Sequence, residues 1–177
     1  MSTPKPILRS SKSTQIPIFK DQAYKKIEPL LHKGIDTLTT VFEYLNNQGY
    51  STFVRKKTYA SSKEKLVRKG LTDYLALTDL VKGVVFVNDV SSTPLVLAYI
   101  ETILDVIKVE YKTGNELNPY KGFIHVDVIV DGVVCEIQIT TEHNWEIKRR
   151  SNDAYKKGNP NMVSEIWDKA QELVYIV

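Results

Sequence analysis

Between Asp21 and Asn47 apolar side chains recur three and four residues apart, at Ile27, Leu30, Leu31, Ile35, Leu38, Val41, Phe42 and Leu45. That spacing lines one face of a helix, and Pro29 and Gly34 inside it are candidate interruptions, so the pattern predicts one helix or two covering a sheet. Tyr50 to Tyr59 reads as a strand running into basic residues, and Ser61 or Ser62 is in place to cap a short helix through Lys69 that Gly70 ends. The apolar run from Leu80 to Val87 predicts a buried strand. Asn88 to Ser92 is a polar turn before a helix over about Pro94 to Leu104, and Val106 to Tyr111 is another strand. Gly114, Asn115, Asn118 and Pro119 make Lys112 to Tyr120 an irregular segment suited to the neighbourhood of a ligand. Strands from Gly122 to Val130 and from Val133 to Thr140 are joined by Asp131-Gly132, the dipeptide of a type I′ hairpin. Helices are expected over Thr141 to Lys157 and Met162 to Leu173, with Asn159-Pro160 between them. Residues 1–20, rich in Ser, Thr, Pro and Lys, read as a flexible or irregular arm before a single domain spanning 21–177.

The hairpin register can be counted outward from its turn. Val130 opposes Val133, then Val128 faces Cys135, Val126 faces Ile137 and Ile124 faces Ile139, all on one side of the sheet. That side is core. On the other, Asp127 opposes Glu136 and His125 opposes Gln138, flanked by Ile129 and Phe123. Two carboxylates in direct cross-strand register repel, so the pair needs a cation, a shared proton or a nearby Lys or Arg. Magnesium suits one or two carboxylates plus phosphate oxygens, and Asp79, at the mouth of the preceding strand, would add an oxygen if that strand lies alongside. The alternative is a solvated acidic face paired with lysines.

A length of 177 residues with 42% hydrophobic content is enough for one sizeable core. No run of about 18 apolar residues is present and Met1 to Pro6 lack an apolar leader, so no membrane association and a cytoplasmic location are expected. The single cysteine, Cys135, excludes an internal disulfide and reads as a core thiol. The net charge of +3 is concentrated in Arg55, Lys56, Lys57, Lys63, Lys65, Arg68 and Lys69. Lys65, Arg68 and Lys69 share a helix face, and Arg55 and Lys57 project to one side of the preceding strand. Such a cluster fits a triphosphate, a nucleic-acid groove or a solvated basic face, and charge alone does not choose.

Taken together these segments resemble the synthetase domain of the RelA/SpoT alarmone synthetases, over about Tyr50 to Lys157. VCEIQITT from Val134 resembles the family's Glu-Ile-Gln-hydrophobic-Arg-Thr strand, and TDLVKGVVFV from Thr78 resembles its magnesium-aspartate strand. YKGFIHV from Tyr120 resembles the Gly-Tyr-Arg-Ser-Leu-His segment. RKK followed by SSKEKLVRKG resembles the basic strand and helix that grip ATP phosphates, and Tyr155-Lys156 resembles the family's closing Tyr-Lys pair. Three positions depart from the pattern. Val85 stands where the family carries an arginine, with Lys82 offering charge from a shifted position; one extra residue precedes His125; and Thr140 replaces an arginine.

The resemblance implies an α+β fold with a mixed sheet of about five strands flanked by helices, of the nucleotidyltransferase-like synthetase type. It implies transfer of the β,γ-pyrophosphate of ATP to a ribose 3′-hydroxyl of GDP, GTP or a related adenine nucleotide, releasing AMP. Arg55, Lys57, Lys65 and Arg68 would bind ATP, and Tyr120, His125 and Gln138 the acceptor. Asp79 and Glu136 would be catalytic and hold Mg2+, with Asp127 as an additional metal candidate. Too few residues precede Tyr50 for the family's hydrolase region, so a synthetase-only form is expected. Two other readings stand: a toxin-like enzyme acting on the 3′ end of tRNA, with Lys148-Arg149-Arg150 as phosphate contacts, and an inactive nucleotide-binding module.

Overall fold

Asp21 begins the first helix by accepting the backbone N–H of Tyr24 at 2.8 Å, and its other oxygen accepts from the Tyr74 hydroxyl at 2.7 Å and Lys63 at 3.1 Å. These donors hold its carboxyl down at about 2. Helix α1 (Gln22–Asn47) is continuous. Pro29 lies on its exposed side, where the carbonyl that loses its amide partner meets water. Gly34 does not interrupt the helix either. It lies against the sheet, where an added Cβ would come within 3.1 Å of the Cys135 sulfur, so its missing side chain permits close packing.

The chain is seen in a computed structural model that describes residues 19–112 and 119–156, with side chains to residue 152. Residues 1–18 of the N-terminal arm, most of the loop expected over Lys112 to Tyr120, the helix expected over Met162 to Leu173 and the Tyr155-Lys156 side chains lie outside the described residues. Strand β1 (Ser51–Lys56) leads into α2 (Tyr59–Arg68), whose cap is Thr58 rather than Ser61 or Ser62. The Thr58 hydroxyl accepts from the Ser61 amide, while Ser62 donates its hydroxyl to the Thr58 carbonyl. Gly70, at φ +66°, ends the helix in the left-handed conformation. A 3-10 turn (Tyr74–Ala76) precedes β2 (Val81–Val87), and a second (Val90–Ser92) precedes α3 (Thr93–Ile103). Then follow β3 (Asp105–Lys112), β4 (Phe123–Val130), β5 (Val133–Thr141) and α4 (Glu142–Lys156).

The five strands form one mixed sheet in the order β1-β2-β5-β4-β3. Only β2 and β5 run parallel; the other neighbours are antiparallel. Asp131 and Gly132 both take positive φ, at 49° and 83°, as a type I′ turn requires. The hairpin pairs Asp127 with Glu136 and His125 with Gln138, the register counted from the sequence.

One face of the sheet carries Val126, Val128, Cys135, Ile137 and Ile139 beneath α1 and α3. Side-chain alternation puts Arg55, Lys82, Glu136, Asp127 and Lys108 in one row across the opposite face, one residue from each strand. Helix α4 packs on that second face through Trp145, whose ring lies 5.4, 5.7 and 6.3 Å from those of Phe53, Phe86 and Phe123.

Candidate functional site

The cross-strand row explains how the sheet tolerates Glu136 beside Asp127. Lys82, opposite Glu136 on β2, brings its Nζ to 4.0 Å from Glu136 Oε1, and Lys108 stands opposite Asp127 on β3. Flanking lysines are one of the remedies open to such a pair. Burial and the Glu136 charge still push the Asp127 carboxyl up. Burial likewise holds the Lys82 ammonium down, against the pull of Glu136.

Glu136 is itself positioned by side chains. Gln138, only 1% exposed, donates its amide to Glu136 Oε1 at 2.7 Å, and His125 Nδ1 lies 3.8 Å from Oε2. Burial lowers the His125 imidazole to about 4, so it is neutral at pH 7. Asp79 reaches the same region because β2 lies parallel to β5, with Lys82 facing Glu136. Its Oδ2 accepts from Lys65 at 2.7 Å and lies 3.4 Å from Lys57. Burial alone would raise the Asp79 carboxyl, but the Lys65 hydrogen bond and the charges of Lys57, Lys65 and Lys82 hold it below the usual range.

These groups wall a cavity of about 790 Å³. Five basic side chains line it (Lys65, Arg68, Lys69, Lys82 and Lys112) against three acidic ones (Glu64, Asp79 and Glu136), together with Tyr120, His125 and Asn152. A neighbouring cavity of about 290 Å³ is lined by Arg55, Lys56, Lys57, Thr58, Ser61, Asp79 and Lys82. Asp79 and Lys82 form the boundary between the two. Excess cationic charge in a partly desolvated cleft suits a polyanion.

The sequence-derived residues are therefore divided. Lys65, Arg68, Asp79, Tyr120, His125 and Glu136 meet in the larger cavity, and Arg55 and Lys57 face the smaller one. Arg68 also pairs with Glu64 at 3.0 Å. Gln138 lines neither cavity and instead holds Glu136, while Asp127 lies one strand beyond and also lines neither. Among the described residues no three His, Cys, Asp or Glu side chains converge as a metal cluster. Asp79 and Glu136 nevertheless suit Mg2+ arriving with a polyphosphate, which takes one or two carboxylates and draws its remaining ligands from phosphate and water. Asp79 Oδ1, buried with no hydrogen-bond partner among the described residues, is an available oxygen.

Tyr120 sits edge-on to His125 at 4.9 Å and to Phe123 at 5.4 Å. Lys148, 6% exposed, places its Nζ 4.2 Å from the centre of the Trp145 ring and 5.5 Å from that of Tyr120. Arg149 and Arg150 pair with Glu146 at 2.9 and 3.5 Å. The Lys-Arg-Arg run is thus one lysine turned inward and two arginines engaged on their own helix. Sequence reasoning missed Asn152 and the Trp145–Lys148 support. Trp145, Lys148 and Asn152 are spaced three and seven residues apart on one helix face, a pattern legible once α4 is placed over the sheet.

The sequence matches no family model and no curated protein. The fold is that of the small alarmone synthetases. Small alarmone synthetase 2 from Bacillus subtilis matches with a TM-score of 0.66 at 21% identity, over 86% of this chain and 94% of that one. Small alarmone synthetase 1 from Bacillus subtilis, bound to its product pppGpp, matches with a TM-score of 0.65 at 18% identity, over 86% and 93%. The type VI effector Tas1, in complex with its immunity protein, matches with a TM-score of 0.65 at 10% identity, over 88% and 100%.

Proposed function

We propose that this protein is a nucleotide pyrophosphokinase that transfers the β,γ-pyrophosphate of ATP to the ribose 3′-hydroxyl of GDP, GTP or a related nucleotide. The observation that carries this reading is the large cavity in which Asp79 and Glu136 stand among Lys65, Arg68, Lys69 and Lys82 with an aromatic ring, Tyr120, at the wall. Likeness of fold to enzymes named for alarmone synthesis supports it.

In this reaction the acceptor 3′-oxygen forms a bond to the β-phosphorus as the bridging bond to the α-phosphate breaks, and AMP leaves with that electron pair. Gln138 occupies Glu136 Oε1, leaving Oε2 to take the hydroxyl proton. Lys57, Lys65, Arg68 and Lys82 neutralise charge on the phosphates and hold them against the acceptor. Tyr120 offers a stacking surface to the acceptor base, and neutral His125 packs against that ring without adding charge. Asp79 and Glu136 would hold Mg2+, which supplies further charge neutralisation on the phosphates when bound.

The test is to incubate the full chain with γ-labelled ATP and magnesium and to offer GDP, GTP, AMP and tRNA separately. Label on a nucleotide that carries a new 3′-pyrophosphate is the expected result. Label confined to tRNA would move the assignment to a toxin-like activity, and no transfer to any acceptor would overturn it.

A further inference from the structure

Asp79 separates the two cavities, and in the free protein it is already engaged. Two lysines crowd one oxygen, Lys65 at 2.7 Å and Lys57 at 3.4 Å, each from Oδ2, and Lys82 acts on the carboxylate from farther off. The other oxygen, Oδ1, is buried and has no hydrogen-bond partner among the described residues. The side chain is only 11% exposed. Lys65 lines the larger cavity and Lys57 the smaller. They are also the basic side chains nearest the carboxylate that any phosphate chain crossing the boundary would meet.

Two ammonium groups against one carboxylate repel an approaching dication, so the free protein presents Asp79 poorly to a metal. A linear polyphosphate changes this balance. It carries several negative charges and can accept from both lysines, whereas Asp79 offers them one shared oxygen. Once the two lysines turn to phosphate, Asp79 keeps only the more distant charge of Lys82, and a buried carboxylate that loses its paired cations is costly unless another cation replaces them.

We propose that Asp79, Lys57 and Lys65 form an exchange switch, in which an entering polyphosphate takes the two lysines and thereby opens the Asp79 carboxylate to the divalent cation that accompanies it. The identity of the polyphosphate as ATP rests on the pyrophosphokinase reading; the exchange itself rests on the three side chains. By linkage the effect is reciprocal, so the cation must strengthen polyphosphate binding as much as the polyphosphate strengthens cation binding. A purely structural role, pinning α2 to the start of β2, makes the opposite forecast: removing the lysines would leave metal affinity unchanged or reduced.

Mn2+ is titrated into the full chain without phosphate and followed by electron paramagnetic resonance, comparing the parent with the Lys57→Met, Lys65→Met double variant. Affinity should rise by about fivefold or more when the lysines are gone. In a second arm inorganic tripolyphosphate is titrated calorimetrically in the presence of EDTA. Asp79→Asn should bind it about fivefold or more tightly than the parent, and that gain should vanish in the lysine-free background. Unchanged or weaker Mn2+ binding in the lysine variant, or an Asp79→Asn gain equal in both backgrounds, overturns the switch. Thermal melting checks each fold, and if Asp79→Asn does not fold, the Mn2+ arm decides alone. If either arm gives its overturning result while labelled ATP still yields a 3′-pyrophosphorylated nucleotide, only the switch falls; if both succeed and no transfer occurs, the pyrophosphokinase reading falls and the switch stands.

Discussion

Glu136 accepts a hydrogen bond from Gln138 on its own strand and is flanked by Lys82 on β2 at 4.0 Å and by neutral His125 on β4 at 3.8 Å. A carboxylate so restrained has its orientation fixed before substrate arrives, which general-base chemistry requires. Glu136→Gln is nearly isosteric and removes only the charge and basicity. Pyrophosphate transfer should fall by about 10²- to 10⁴-fold with the melting temperature nearly unchanged, as steady-state kinetics and calorimetry will show. Full turnover in the folded variant would contradict the assignment.

His125 makes a second, independent prediction. Burial takes its imidazole from 6.5 to about 4, so between those values the unfolded chain binds more protons than the folded one. This contribution to stability is complete above about pH 6.5 and is lost as pH falls toward 4. His125→Gln should therefore lose less melting temperature than the parent across that window. Parallel pH profiles would show that His125 is not buried as a neutral ring.

At the scale of elements, α1 is fitted to the sheet at Gly83. A Cβ there would stand 2.6 Å from Phe42 Cζ and 3.3 Å from Leu38 Cδ1, both on α1 and both fully buried. Both side chains would have to shift within a packed core, so Gly83→Ala should cost about 1–3 kcal/mol in chemical denaturation. An unchanged midpoint would mean that the helix lies farther from β2.

The hairpin was legible in the sequence because Asp131-Gly132 specifies its turn, and the turn specifies every pair that follows. Helix α1 was legible from its apolar period, although Pro29 and Gly34 pointed to breaks that burial of the opposite face and a close helix-to-sheet contact made unnecessary. What the sequence concealed are relations between distant strands. The parallel pairing that sets Lys82 against Glu136, and the seating of Trp145 on Phe53, Phe86 and Phe123, depend on strand order, which no local pattern encodes. Gln138 shows the same limit. Alternation placed it on the functional face, but only tertiary packing makes it a support for Glu136 rather than a wall of the cavity.

For the whole molecule, a net charge of +3 is spent unevenly. The core face of the sheet is apolar, while the other face and the adjoining α2 gather cations around two carboxylates. Among the described residues no helix is long and apolar enough to cross a membrane. This architecture is shared with small alarmone synthetases, and the chemistry proposed for it makes a specific demand on the bond that breaks. Breaking the α–β bridge of ATP yields AMP, whereas ordinary γ-phosphoryl transfer yields ADP. The most direct measurement is therefore phosphorus NMR and chromatography of a single reaction containing ATP, magnesium and the accepted nucleotide. AMP should appear in equal amount with a 3′-pyrophosphorylated product, and both should form about 10²- to 10⁴-fold more slowly with Glu136→Gln; ADP as the nucleotide product, or AMP without the modified acceptor, would contradict the account.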